Sequence, residues 1–248
     1  MEINVPKSWD DITLDQFVQL SEVTLDMPEP EGTLLRLSIL MGVDVEVIQE
    51  MPFSQFESAC KSIDFATTLP TGSSRDEING YDKINLNGLS VGKFIDMEER
   101  QKTEHMSFIL ACMYPKRKEF DGNDKYSYKA AIKHAEKFRN VPITSALPAF
   151  MEYQKWREKI FNSYRGLFKS VDKTEDVEVQ GESAAQRRKR ISDQAAAEAK
   201  AAKWNWFGFL SGLAGHDPLK YEAASELNIV FALNHLSYLK ENEIQSQS

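Results

Sequence analysis

The chain has 248 residues, 42% of them hydrophobic and 27% charged, with a net charge of −8 and a sequence pI of about 5.2. These proportions are those of a globular protein with a core to bury, in one large domain or two small ones. The acidic balance argues against nucleic-acid binding, which needs a basic surface, and suits a protein that must stay soluble at high concentration.

The opening residues Met1-Glu2-Ile3-Asn4-Val5-Pro6 carry neither a basic region nor an apolar run. No window approaches the ~20 apolar residues that span a bilayer. The expectation is a protein of a reducing cytoplasm, with no membrane partner and with Cys60 and Cys112 as reduced core residues.

Thr13-Leu14-Asp15-Gln16 predicts a capping box, with Ile12 and Phe17 as the flanking hydrophobic staple and Trp9 plugging the apolar face of the helix. A second helix is predicted over Thr33–Met41, closed by Gly42, and a short one over Asp44–Glu50. Ser54-Gln55-Phe56-Glu57 predicts another capping box and a helix with Phe56, Cys60 and Ile63 on one side. Thr67–Asn79 is a loop by composition. The alternating run Tyr81–Leu86 followed by Asn87-Gly88 predicts a small hairpin near 78–92, drawing also on Gly80 and Val91.

Helical spacing resumes at Phe94 and is strong over Lys102–Tyr114, with His105, Phe108, Ile109 and Cys112 on one face and Pro115 as the stop. Helices follow over Ser127–Arg139 and Thr144–Phe168, the second rich in aromatic core candidates and tolerating Pro148 near its start. Residues 170–203 pass from an acidic stretch through Arg187-Arg188-Lys189-Arg190 to an alanine-rich run and read as a linker. Apolar helical patterning returns over Trp204–Leu213, closed by Gly215; Asp217-Pro218 caps another turn; a last helix over Leu227–Glu241 carries Ile229, Leu233, Leu236 and Leu239.

The fold class expected is therefore mainly α: a multi-helix N-terminal domain over 1–169 with a small β-hairpin, a charged and alanine-rich linker over 170–203, and a short C-terminal helical module over 204–248. Two or three short helices build little core alone, so the terminal module must dock on the first domain, on a copy of itself or on a partner.

Few residues suggest chemistry. His105, His134, His216 and His235 have no His or Cys at i+3 or i+4, so each reads as structural and no metal is expected. Asp121-Gly122-Asn123 opens like a calcium loop, but Tyr126 and Ile132 stand where the glycine and the bidentate acid are needed. The phosphate-cradling and nucleophile-elbow motifs are missing, so no cofactor and no catalytic residue are assigned. Asp96, Glu98 and Glu99 read as acids in the first turn of a helix, where its dipole favours them, and Arg187–Arg190 as a solvated charge run. The most suggestive group is Trp204, Trp206, Phe207 and Phe209, with Leu233 and Leu236 of the last helix. They serve either as core of the terminal module or as anchors for a partner, since aromatic residues dominate interface hot spots.

Several segments resemble, in the same order, the family of phage tail assembly chaperones. Trp9-Asp10-Asp11-Ile12-Thr13-Leu14-Asp15-Gln16-Phe17 is similar to its "W-x-x-I-T-L-x-Q-F" opening. Phe94-Ile95-Asp96-Met97-Glu98 and Met113-Tyr114-Pro115 resemble its "I-D-L-E … L-Y-R-P" segment, with Lys116 where an arginine is usual. Phe138-Arg139-Asn140-Val141-Pro142-Ile143 resembles "F-x-D-L-P-M", and Trp204-Asn205-Trp206 and Leu233–Lys240 resemble the closing helices. The resemblance implies a non-enzymatic protein of the host cytoplasm. It would coat the tape-measure protein through apolar grooves that cover the apolar stripe of a long helix, until tail-tube subunits displace it. A linker would let the terminal module reach a second site, and self-association is open to that module. An alternative is a virion structural protein, such as a tail-completion or connector subunit. A third reading, an enzyme or nucleic-acid-binding regulator, has the acidic balance and the missing motifs against it.

Overall fold

In the computed structural model the described residues are mainly helical, with a single two-stranded antiparallel sheet among them. The structure describes residues 5–23, 28–100, 105–116, 125–168 and 206–246. The expected linker, the calcium-like run, the basic cluster and Trp204 lie outside these residues. No helix among the described residues is long and apolar enough to cross a membrane.

The chain forms two compact units, residues 1–84 with 100–155, and residues 85–99 with 156–248. The expected boundary after residue 169 is therefore not the structural one. Residues 85–99 and the chain from Trp156 to Phe168 join the terminal helices, because those helices bury their apolar side chains on Phe94 and Phe161, and the helix expected to run to Phe168 ends at Ser163.

The first unit opens with a 3-10 turn, Trp9–Asp11, and α1, Leu14–Glu22. The capping box forms as predicted. Thr13 accepts from the Gln16 amide, and the Gln16 side chain accepts from the Thr13 amide. Gln16 also donates through Nε2 to the carbonyls of Ile39 and Leu40 at 3.0 and 3.1 Å, satisfying the C-terminus of α2, Glu31–Met41. Gly42 closes α2 at φ +64°, a left-handed conformation that glycine adopts without penalty. Trp9 sits edge-on to Phe17, ring centroids 5.9 Å apart, and to Phe65 at 5.3 Å.

The short α3, Val45–Gln49, and α4, Phe53–Ser62, close a core of Leu37, Met41, Ile48 and Ala59, with Phe56, Cys60 and Ile63 packed on it. The expected box at Ser54 does not form: α4 starts at Phe53 with Pro52 in the cap position and no side-chain cap bond. Cys112 is buried, but Cys60 is only half-buried.

The hairpin differs from expectation. Strands β1, Glu77–Ile78, and β2, Tyr81–Asp82, pair around Asn79-Gly80, both at positive φ. Asn87-Gly88 lies instead in a 3-10 turn, Leu86–Gly88, capped by the Asn85 side chain. The Asn-Gly signal was chemically sound, but the chain offers two such pairs, and only the first stands between residues that can face each other.

Helix α5, Val91–Glu98, belongs to the second unit, and α6, Met106–Met113, to the first. Every residue of α6 except Ser107 is buried, so it is a central helix rather than the one-faced helix expected. The predicted Ser127–Arg139 helix divides into α7, Tyr128–Ala135, and a 3-10 turn, Glu136–Phe138. Helix α8, Ile143–Ser163, follows, with Pro148 inside it. Its start is tied to the start of α1. Thr13 and Pro142 form an isolated antiparallel bridge, in which the Leu14 amide donates to Val141 O at 2.8 Å and the Ile143 amide to Ile12 O at 2.9 Å.

In the second unit, α5 and the end of α8 meet three terminal helices, α9 (206–213), α10, Tyr221–Glu226, and α11, Ile229–Ser246. Gly215 ends α9 at φ +61°, and Asp217 caps the turn Pro218–Lys220 through the Leu219 amide, both as predicted. Phe94, fully buried, is ringed edge-on by Trp156 at 5.8 Å and Trp206 at 5.5 Å. Glu98, only 3% exposed in its side chain, accepts from Arg157 Nε at 2.7 Å, and the Arg157 guanidinium lies over Phe161. A second isolated bridge joins Ser90 to Asn228, with the Val91 amide donating to Leu227 O at 2.8 Å and the Ile229 amide to Leu89 O at 2.9 Å.

Candidate partner-binding face

The aromatic residues singled out in the sequence divide between core and surface. Trp206 lies at the centre of a ring cluster with Phe94, Phe168 and Phe209, centroids 5.5, 5.9 and 5.8 Å away. Leu233 is fully buried on α11. Leu236 is half-buried and lies close to Gly212, where a Cβ would stand 3.6 Å from its Cδ2. These side chains fill the second unit. Phe207 is the described member that reaches the surface, 48% exposed and edge-on to Tyr221 at 5.7 Å.

Helix α11 exposes what the sequence reading missed. Ile229, Ala232 and Leu233 form its buried side, whereas Phe231 and Tyr238 are 61% and 63% exposed, and Leu239, expected in the core, is 38% exposed. Phe231 and Tyr238 stand about two turns apart, so both project from one side of the helix. The sign was present in the sequence: after Ile229, Leu233 and Leu236 are assigned to the core, large apolar residues still remain for another side. A helix apolar on two sides has a second surface to cover. Polar groups stand beside them: Asn234 accepts from the Tyr164 hydroxyl at 2.8 Å, and His235 is exposed.

The first unit holds a cluster of ionisable groups. Lys83 Nζ lies 3.1 Å from Glu152 Oε2, 3.5 Å from Asp76 Oδ1 and 3.4 Å from Ser74 Oγ. Burial works against its charge, but the Glu152 hydrogen bond and charge outweigh it and raise the pKa above the usual lysine value. Burial also raises Tyr114, whose hydroxyl donates to Arg75 O at 2.6 Å. A lysine held protonated and a phenol held neutral are poor bases and nucleophiles at neutral pH, so the cluster ties loop to helix. His134 is buried, Nε2 2.8 Å from Tyr114 O, and packs edge-on against Tyr81 and Phe138. Among the described residues no group of three or more His, Cys, Asp and Glu side chains is placed to hold a metal ion. An open depression beside α4 is lined by Glu57, Cys60, Lys61 and Asp64, and burial pushes the Cys60 thiol up, which keeps it protonated at neutral pH.

Of the residues quoted for the tail-chaperone resemblance, Ile12, Leu14, Phe94, Met97, Tyr114, Phe138, Val141 and Ile143 are buried and belong to the framework. Compared with known proteins, the chain matches no family model, no curated protein and no solved structure.

Proposed function

We propose that this protein is a non-enzymatic tail assembly chaperone of a bacteriophage, which covers apolar stretches of the tape-measure protein in the host cytoplasm until tail-tube subunits displace it. The observation that carries the reading is the outer side of α11, where Phe231, Tyr238 and Leu239 are exposed on a chain of net charge −8. An exposed aromatic side chain that becomes buried on a client contributes about 2 kcal/mol. A few such contacts, set against the entropy of association, give binding weak enough to be reversed during assembly. The acidic charge keeps the loaded complex soluble by repulsion. The order of the resembling segments supplies the identity of the client.

The test is co-expression of the full chain with the tape-measure protein. The wild type is expected to move the client into the soluble fraction, and the Phe231→Ser/Tyr238→Glu double variant to fail while keeping its own solubility and helical content. A client that precipitates equally with and without the wild type overturns the proposal. Stoichiometric recovery of the chain from purified particles points instead to a structural tail component.

A further inference from the structure

We infer that the chain is built on one supersecondary module present twice, once in each compact unit. The first arm of the module is a capped 3-10 turn leading into a helix. In the first unit Ser8 accepts from the Asp10 amide, the turn Trp9–Asp11 closes with the Ile12 amide donating to Trp9 O, and Thr13 caps α1 by accepting from the Gln16 amide. In the second unit Asn85 accepts from the Asn87 amide, the turn Leu86–Gly88 closes with the Leu89 amide donating to Leu86 O, and Ser90 caps α5 by accepting from the Lys93 amide. Each step falls at the same place in the two segments.

The second arm is the start of a longer helix, and the two arms are joined alike. Ile12-Thr13-Leu14 faces Val141-Pro142-Ile143, and Leu89-Ser90-Val91 faces Leu227-Asn228-Ile229. In both, the residue after the cap donates to the residue before the bridge partner, and the residue after that partner donates back, at 2.8 and 2.9 Å in each unit. These are the two isolated bridges among the described residues. The next contact corresponds as well: the Asp15 amide donates to Arg139 O at 2.9 Å, and the equivalent Gly92 lies so close to Ser225 that a Cβ would stand 3.3 Å from its carbonyl oxygen.

The side chains follow the backbone. Ile12 and Leu89, Leu14 and Val91, and Ile143 and Ile229 are buried pairs, each at most 1% exposed. Ala146 and Ala232, three residues into the second arm, are both fully buried, as a small residue must be where two helix starts approach closely. Phe17-Val18 and Phe94-Ile95 stand at the same distance from their caps. A lone bridge of two hydrogen bonds is a weak local structure. Its recurrence with the same turn, caps and aliphatic pairs therefore marks one packing solution used twice.

The repeat makes Asn228 the counterpart of Pro142. The bridge takes its donors from residues 91 and 229, and Leu227 has φ −60° and ψ 147°, the conformation that a residue before proline adopts. Asn228→Ala and Asn228→Pro both remove the side-chain bonds to Asn87 O and from the Phe231 amide, so alanine is the matched control. In the full chain, thermal unfolding of Asn228→Pro is expected at or above that of Asn228→Ala, because proline restricts the unfolded chain. Ile229→Pro, which removes a bridge donor, is expected to abolish the cooperative transition of the second unit. The reciprocal Pro142→Asn is expected to keep the shape of the native transition and to melt slightly below the wild type, because it returns freedom to the unfolded chain. An Asn228→Pro chain that melts below Asn228→Ala or fails to fold, or an Ile229→Pro chain that melts no lower than Asn228→Pro, overturns the equivalence.

Discussion

In the first unit Pro142 faces Thr13 across the bridge, and in the second Asn228 faces Ser90, with the same pair of backbone bonds in each. The helices that leave these bridges are treated differently. Counting from Ile143 and Ile229, Ser145 corresponds to Phe231 and Glu152 to Tyr238. Ser145 is 3% exposed and Glu152 is tied to Lys83, whereas Phe231 is 61% and Tyr238 63% exposed. A loop accounts for part of the contrast: Gly72 lies against the start of α8, where a Cβ would stand 2.1 Å from Thr144 O and 3.3 Å from Pro148 Cγ. The lesson is that one backbone device can brace a helix while leaving its outer side free to serve as framework or as binding surface. On the proposed function, the double variant Phe231→Ser/Tyr238→Glu gives the second helix the residues of the first, and so removes client binding without touching the bridge.

The largest difference in stability between the two units is expected at the aromatic neighbours of the caps. Phe94 is fully buried and Phe17 half-buried, so Phe94→Ala is expected to cost about 4 kcal/mol and Phe17→Ala roughly half that, measured by denaturant unfolding. Equal costs would mean that the two positions are packed alike. Next in size is the pair of caps. Thr13 takes part in a reciprocal box, whereas Ser90 has Lys93 at the position of Gln16, so Thr13→Ala should cost up to about 2 kcal/mol and Ser90→Ala about 1 kcal/mol.

The smallest effect separates the units by pH. Lys83 and Tyr114, both in the first unit, hold their protons more tightly when folded than when unfolded. Their contribution is intact below the ordinary tyrosine value of 10.0 and is lost as pH rises through the raised folded values. The melting temperature should therefore fall across the alkaline range, and fall less in Tyr114→Phe. An identical pH profile in that variant would remove Tyr114 from the account.

Much of the fold was legible because local chemistry determines it. The Thr13 box, the Gly42 and Gly215 stops and the Asp217-Pro218 cap each depend on a few adjacent residues, and each stands where the residue types place it. The module repeat was also legible in principle, in Ile-Thr-Leu-x-x-Phe-Val at Ile12 and Leu-Ser-Val-x-x-Phe-Ile at Leu89, but the shared pattern is conservative rather than identical and shows clearly only once the hydrogen bonds match. The face on α11 was missed because Phe231 and Tyr238 carry the same apolar signature as a core residue.

Residue order and composition alone specify a mainly helical chain, its helix starts and stops, and its acidic, motif-poor character. Those follow from contacts within a turn or two and from composition, which act whatever the rest of the chain does. Long-range packing selects which Asn-Gly turns the hairpin, places 85–99 with the terminal helices, and sets which of two apolar sides of α11 is covered. Such choices rest on which distant segments compete for the same apolar surface, and burial energy is non-directional, so no local pattern can name the winner.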